Sequence, residues 1–193
     1  MELPLQLIVF SIPSIILVAI YRWRVGESWR DAFSKVGWQG SKPIYYLWGL
    51  LFLCVIGGLA WATMKFIPES LFHSENVNIS NYADVPRTLK GFLSIFLYEA
   101  FYIALGEEIF FRGWLGGWLN RRLGFPVGNL IQSSCFLLPH LMLLTVSLEF
   151  WPILIPQFAA GWLQGWLRYK SGSILPSWLL HSLSNALSAF SFL

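Results

Sequence analysis

The residues that could do chemistry in this chain are few: Glu99, Glu107, Glu108, Arg112, His140, His181 and the amide Asn185, all within apolar runs. Ionisable groups at such depth are costly, so each is a functional candidate by default. Glu108 and Arg112 are four apart, acid first, which is the favourable order for an ion pair on one helix face. Glu107 points about 100° away around the same helix, and one arginine does not account for two buried carboxylates. A carboxylate left without a cation in a low-dielectric site suits a general base that takes a proton from water. His140 follows Phe136 by four residues, and Asn185 follows His181 by four, so each pair shares a helix face. His181 and Asn185 can cross-link helices by hydrogen bonds, or donate to a developing oxyanion. Taken alone, His140 reads as a hydrogen-bonded core residue.

The elements that must position these groups are set by composition. The chain is 56 % hydrophobic and 12 % charged, with 11 Trp, whereas soluble domains are about a quarter charged. A membrane-crossing helix needs about 20 apolar residues, and six candidate spans occur: Leu3–Tyr21, Ile44–Phe66, Gly91–Asn120, Val127–Leu148, Pro152–Leu167 and Ile174–Leu193. The predicted fold is an all-α polytopic transmembrane helical bundle of about six spans, with the candidate residues on the third, fourth and sixth. It forms one membrane domain over residues 1–193, with two N-terminal spans and their loops in 1–90. Pro139 and Pro156 fall inside spans and should kink them. Leu3–Tyr21 lacks a basic flank and a cleavage motif, and reads as a retained span.

Basic residues recur in every second loop: Arg22, Arg24, Arg30, Lys35 and Lys42 in the first, Arg121 and Arg122 in the third, Arg168 and Lys170 in the fifth. The positive-inside rule then puts these loops in the cytoplasm and both termini outside. At 1.5 Å per residue, His181 lies roughly 10 Å and His140 roughly 20 Å from the cytoplasmic ends of their helices, so both can meet Glu107. Trp23, Trp29, Phe33 and Trp38 make the first loop an interfacial segment. The net charge of +3 is spent on topology, with no basic stripe for nucleic acid. Cys54 and Cys135 read as small core residues without a partner. Asn78-Ile79-Ser80 matches a glycosylation acceptor pattern. Gly113/Gly117 and Gly161/Gly165 are GxxxG pairs that serve bundle packing or dimers, which leaves oligomeric state open.

Three motifs in order, EExxxR at Glu107–Arg112, FxxxH at Phe136–His140 and HxxxN at His181–Asn185, resemble those of the CAAX protease and bacteriocin-processing (Abi) family of intramembrane glutamic endopeptidases. The resemblance covers residues 91–193, the expected catalytic core. It implies that Glu107, helped by His140, activates water against a peptide carbonyl, and that His181 and Asn185 stabilise the oxyanion. It also implies that Glu108 and Arg112 hold the site together and that Phe136 packs beside it. Two His, a Glu and an Asn could hold zinc. No HExxH helix is present and Asn is a poor zinc ligand, so no metal or cofactor is expected. The expected partners are the lipid bilayer and a membrane-associated protein or peptide substrate, such as a prenylated tail, a leader peptide or a sorting tail. The Trp-rich, compact form points to a bacterial cytoplasmic membrane. A non-catalytic immunity or scaffold protein is the competing reading; a proton-coupled carrier would need an inverted repeat, and none is visible.

Overall fold

Inside a bilayer the backbone has no water to bond to, so long apolar runs fold as helices that satisfy their own N–H and C=O groups. The computed structural model describes residues 5–73, 82 and 84–191, and among these the chain is helical with no strand. Four helices are long and apolar enough to cross a membrane: α1 (Leu5–Val25), α3 (Pro43–Met64), α4 (Leu89–Leu123) and α5 (Phe125–Val146). Between the first two lies the short α2 (Trp29–Lys35). Two more helices, α6 (Leu154–Ser171) and α7 (Leu175–Ser191), follow α5. Among the described residues, helices therefore fall in each of the six expected spans of this integral membrane bundle, four of them long and apolar enough to cross. The last two are less apolar because they bury polar side chains, among them Gln164, Ser177, His181 and Ser182. Asn78–Ser80 lies outside the described residues.

Local chemistry sets the boundaries. Thr88 caps α4 by accepting from the Gly91 N–H at 3.1 Å, and Gly172, at φ 71°, ends α6 in the left-handed conformation that glycine tolerates. Within α4 the helix widens into π turns over Glu99–Ala104 and Glu108–Gly116, a feature that often marks functional segments. In α5, Pro139 has no N–H to return to the preceding turn, and the chain tightens to a 3₁₀ helix over Leu138–Met142.

α7 packs among α3, α4 and α6, while α5 packs on α4 and α6 and α1 lies across the middle of α4. The GxxxG glycines serve contacts inside the bundle. A Cβ at Gly161 would meet the Phe136 ring at 3.2 Å, and one at Gly113 would meet the Val36 carbonyl at 2.8 Å. Cys54 does not lie in the core as its apolar surroundings suggested: it is exposed on α3, and only Cys135 is partly buried. Hydropathy along a span does not say which face of the helix meets lipid.

The three basic loops meet at one end of the bundle. The Lys35 carbonyl accepts from both Arg121 and Arg168, each at 3.2 Å, and Ile174 N donates to the Gly37 carbonyl at 3.0 Å. Trp23, Trp29 and Trp38 are exposed beside them, an arrangement of rings and cations suited to a membrane interface.

Candidate active site

The site grows out of the second π segment of α4. Glu108 and Arg112 are both fully buried and form the ion pair anticipated from their spacing, with Nη1 of Arg112 at 3.1 Å from Oε1 of Glu108. Arg112 also donates through Nη2 to Oε1 of Gln164 on α6, and its guanidinium lies 4.0 Å from the centre of the Phe136 ring. One cation thus ties α4 to α5 and α6. Glu108 extends the tie to α7, because Oε1 also lies 3.0 Å from Nδ1 of His181. With Glu108 ionised by Arg112, that contact is an N–H donated by His181, which fixes the orientation of the ring.

Glu107 is where the structure adds most to the sequence. Oε2 lies 3.7 Å from Nε2 of His181, and Oε1 accepts from Nε2 of Gln6 at 2.9 Å. Gln6 belongs to α1, and it reaches α4 because Gly106 has no side chain: a Cβ there would sit 2.9 Å from the Cα of Leu7. Ser14 secures the same crossing by donating to the Ile109 carbonyl at 3.0 Å. Glu107 is therefore without a cation but not without a partner. No local signal could have named Gln6, since the contact is 101 residues apart in sequence.

His140 stands on the 3₁₀ turn that Pro139 imposes. The Phe136 carbonyl, deprived of a donor at position 139, lies 3.1 Å from Nδ1 of His140. A carbonyl can only accept, so Nδ1 carries the proton and Nε2 presents a lone pair. The Phe136 ring touches both imidazoles, with centroids 5.1 Å from His140 and 5.7 Å from His181. Among the described residues, no direct hydrogen bond joins His140 to Glu107.

Asn185 faces Glu99, not Glu107. Its Nδ2 donates to Oε2 of Glu99 at 2.9 Å, while Oε1 of Glu99 accepts from the Tyr82 hydroxyl at 2.5 Å. Glu99, a residue without an obvious role in sequence, is a buried carboxylate with both oxygens occupied. Burial and the hydrogen bond to Glu99 push the Tyr82 phenol up, which keeps it a protonated donor. Tyr82→Phe strands one carboxylate oxygen of Glu99 in the interior, at a cost of about 1–3 kcal/mol. The expected result is a lower thermal unfolding midpoint in detergent, read by tryptophan fluorescence; an unchanged midpoint would show that the hydroxyl is not needed.

His181, Asn185, Phe136 and Gln164 line a cavity of about 420 Å³, walled on its other side by α3. The arrangement offers a cation-free carboxylate beside an imidazole, a second imidazole with an open lone pair, and amide donors at the cavity wall. Among the described residues, no three His, Cys, Asp or Glu side chains form a group that could hold a metal ion.

Compared with known proteins, residues 89–187 match a family model described as type II CAAX prenyl endopeptidase Rce1-like. No curated protein and no solved structure matches the chain.

Proposed function

Starting from the premise that the chain belongs to the Rce1-like family of type II CAAX prenyl endopeptidases, we propose that it is an intramembrane endopeptidase of the glutamic type. Its substrate is a membrane-associated protein or peptide. The observation that carries the reading is the array of half-buried Glu107 with buried His181, Glu108 and Arg112, held at the edge of a cavity inside the bundle. Glu107 takes a proton from water as it attacks the scissile carbonyl, and the open Nε2 of His140 is the second acceptor available to that water. His181 and Asn185 donate to the oxyanion of the tetrahedral intermediate. Asn185 gives one of its two amide protons to Glu99 and keeps the other. His181 gives its Nδ1 proton to Glu108 and donates through Nε2 when that nitrogen is protonated. Water is activated by these side chains without a metal ion. The basic end of the bundle faces the cytoplasm of a bacterial cell, in keeping with the positive-inside rule.

Gln6 is a positioning residue in this scheme: it orients the Glu107 carboxylate and touches no substrate. The N-terminal part of the chain, residues 1–90, then completes a core formed by 91–193 in a single domain. A hydrogen bond to a charged group is worth about 1.5–3 kcal/mol. Gln6→Leu should therefore lower kcat by about 10- to 100-fold while leaving KM near its wild-type value. Steady-state kinetics on the reconstituted protein decide this, and a wild-type kcat would remove Gln6 from the scheme.

The experiment that tests the reading compares the termini of membrane proteins in cells carrying wild type and Glu107→Gln. Ends present with wild type and lost in the variant identify substrates, and reconstituted cleavage of one such peptide should persist in a chelator. Identical termini, together with a phenotype on deleting the whole chain, would support a non-catalytic immunity or scaffold role instead.

A further inference from the structure

Among the described residues, the cavity that reaches His181 is lined toward one end of the bundle. α3 lines it from Leu53 to Met64, its last residue; α6 lines it no deeper than Gln164; α7 lines it from His181 to Ser191, its last residue. The first segment is the half of its helix that follows residue 52, the second precedes Arg168, and the third follows the site. All three are the halves remote from the loops joined through Lys35, Gly37, Arg168 and Ile174. The site is thus continuous with a passage toward the face opposite the basic loops.

The walls of that passage differ. Along α7, His181, Ser184, Asn185, Ser188 and Ser191 recur at three- and four-residue spacing on one helix face, and all line the cavity. Ser184 and Ser188 make no hydrogen bond to protein among the described residues, so their hydroxyls are available to a guest. Across from them α3 presents Ile56, Ala60, Trp61 and Met64. Among the described residues, no Asp, Glu, Lys or Arg lines the cavity. The ten residue steps from His181 to Ser191 rise about 15 Å, the length of four to five extended residues.

We propose that substrate enters from the face opposite the basic loops, as an uncharged extended polypeptide segment. Its backbone bonds to the serine row of α7 and its apolar side chains lie on α3. The proposal rests on the peptidase reading and adds the side and the chemistry of what is cut. By the positive-inside rule this is the non-cytoplasmic face, so the substrate class is a polypeptide that has already been exported or inserted and still holds an apolar segment in the bilayer.

The test is thiol labelling in sealed membrane vesicles. Cys54 and Cys135 are first replaced by Ser, and one of two reporters is added: Ser188→Cys in the passage, or the exposed Arg122→Cys to mark the basic face. A membrane-impermeant maleimide is applied to right-side-out and inverted vesicles. Ser188→Cys should label only in the orientation in which Arg122→Cys does not, and labelling should reduce cleavage by the reconstituted protein at least tenfold. Labelling of Ser188→Cys from the basic face, or from neither face, would overturn the route. The labelling pattern is read without turnover. Correct labelling in a chain that cleaves nothing would therefore refute the peptidase reading and leave the route standing, while an active chain labelled from the basic face would do the reverse.

Discussion

Glu107→Gln will accumulate as folded protein at wild-type yield and cleave at least about a thousandfold more slowly, within the range that a positioned general base contributes. The substitution keeps the shape of the side chain. Gln6 can still donate to the new carbonyl oxygen as it donates to Oε1 of Glu107, so α1 stays docked on α4. Glu107 also has no arginine to strand, since Arg112 is paired with Glu108. What disappears is the lone pair that accepts a proton from water. The variant should leave KM nearly unchanged, because Glu107 does not line the cavity in which substrate is expected to bind. Single-turnover cleavage of a substrate peptide in proteoliposomes gives the measurement. A rate within tenfold of wild type would remove Glu107 from the role of base and pass it to His140.

The comparison with sequence explains why some of this was legible. Pairing of Glu108 with Arg112 is a property of one helix and four residues, so spacing alone was enough. The same holds for the shared face of His181 and Asn185, and for the spans themselves, which follow from apolar length. What escaped depends on where separate helices cross. Gln6 reaches Glu107 only because Gly106 lets the α1 backbone approach, and Glu99 meets Asn185 across 86 residues. The π turns of α4 shift the helical register by amounts that no periodicity reports. α6 and α7 are less apolar than the other spans because they turn polar faces inward, toward the cavity and the ion pair. α3 carries no motif, yet it forms the cavity wall, because packing requires only apolar residues of suitable shape.

Arg112→Ala will have its largest effect on folding. The side chain is fully buried and serves three helices: Glu108 on its own helix, Gln164 on α6 and the face of Phe136 on α5. Its removal leaves the Glu108 carboxylate in the interior without its cation, beside His181 and the Ser177 hydroxyl. Breaking one side of a buried pair costs about 3–5 kcal/mol, a large share of the roughly 5–15 kcal/mol that holds a typical domain together. The expected outcome is a sharply reduced yield of monodisperse protein and a much lower unfolding midpoint in detergent. A wild-type midpoint would mean that the pair does not hold the bundle. Loss of activity in this variant would say little about chemistry, so a second change separates the two effects. Glu108→Gln with Arg112→Met replaces both charges by neutral side chains of similar length, a swap that is often neutral or stabilising for buried pairs. That double variant should recover most of the lost stability. It should still cleave poorly, because a neutral amide holds Nδ1 of His181 less firmly than the carboxylate does and the ring loses its fixed aim at Glu107. Recovered stability with full activity would show that Glu108 and Arg112 act on the fold alone, and that His181 needs no carboxylate behind it.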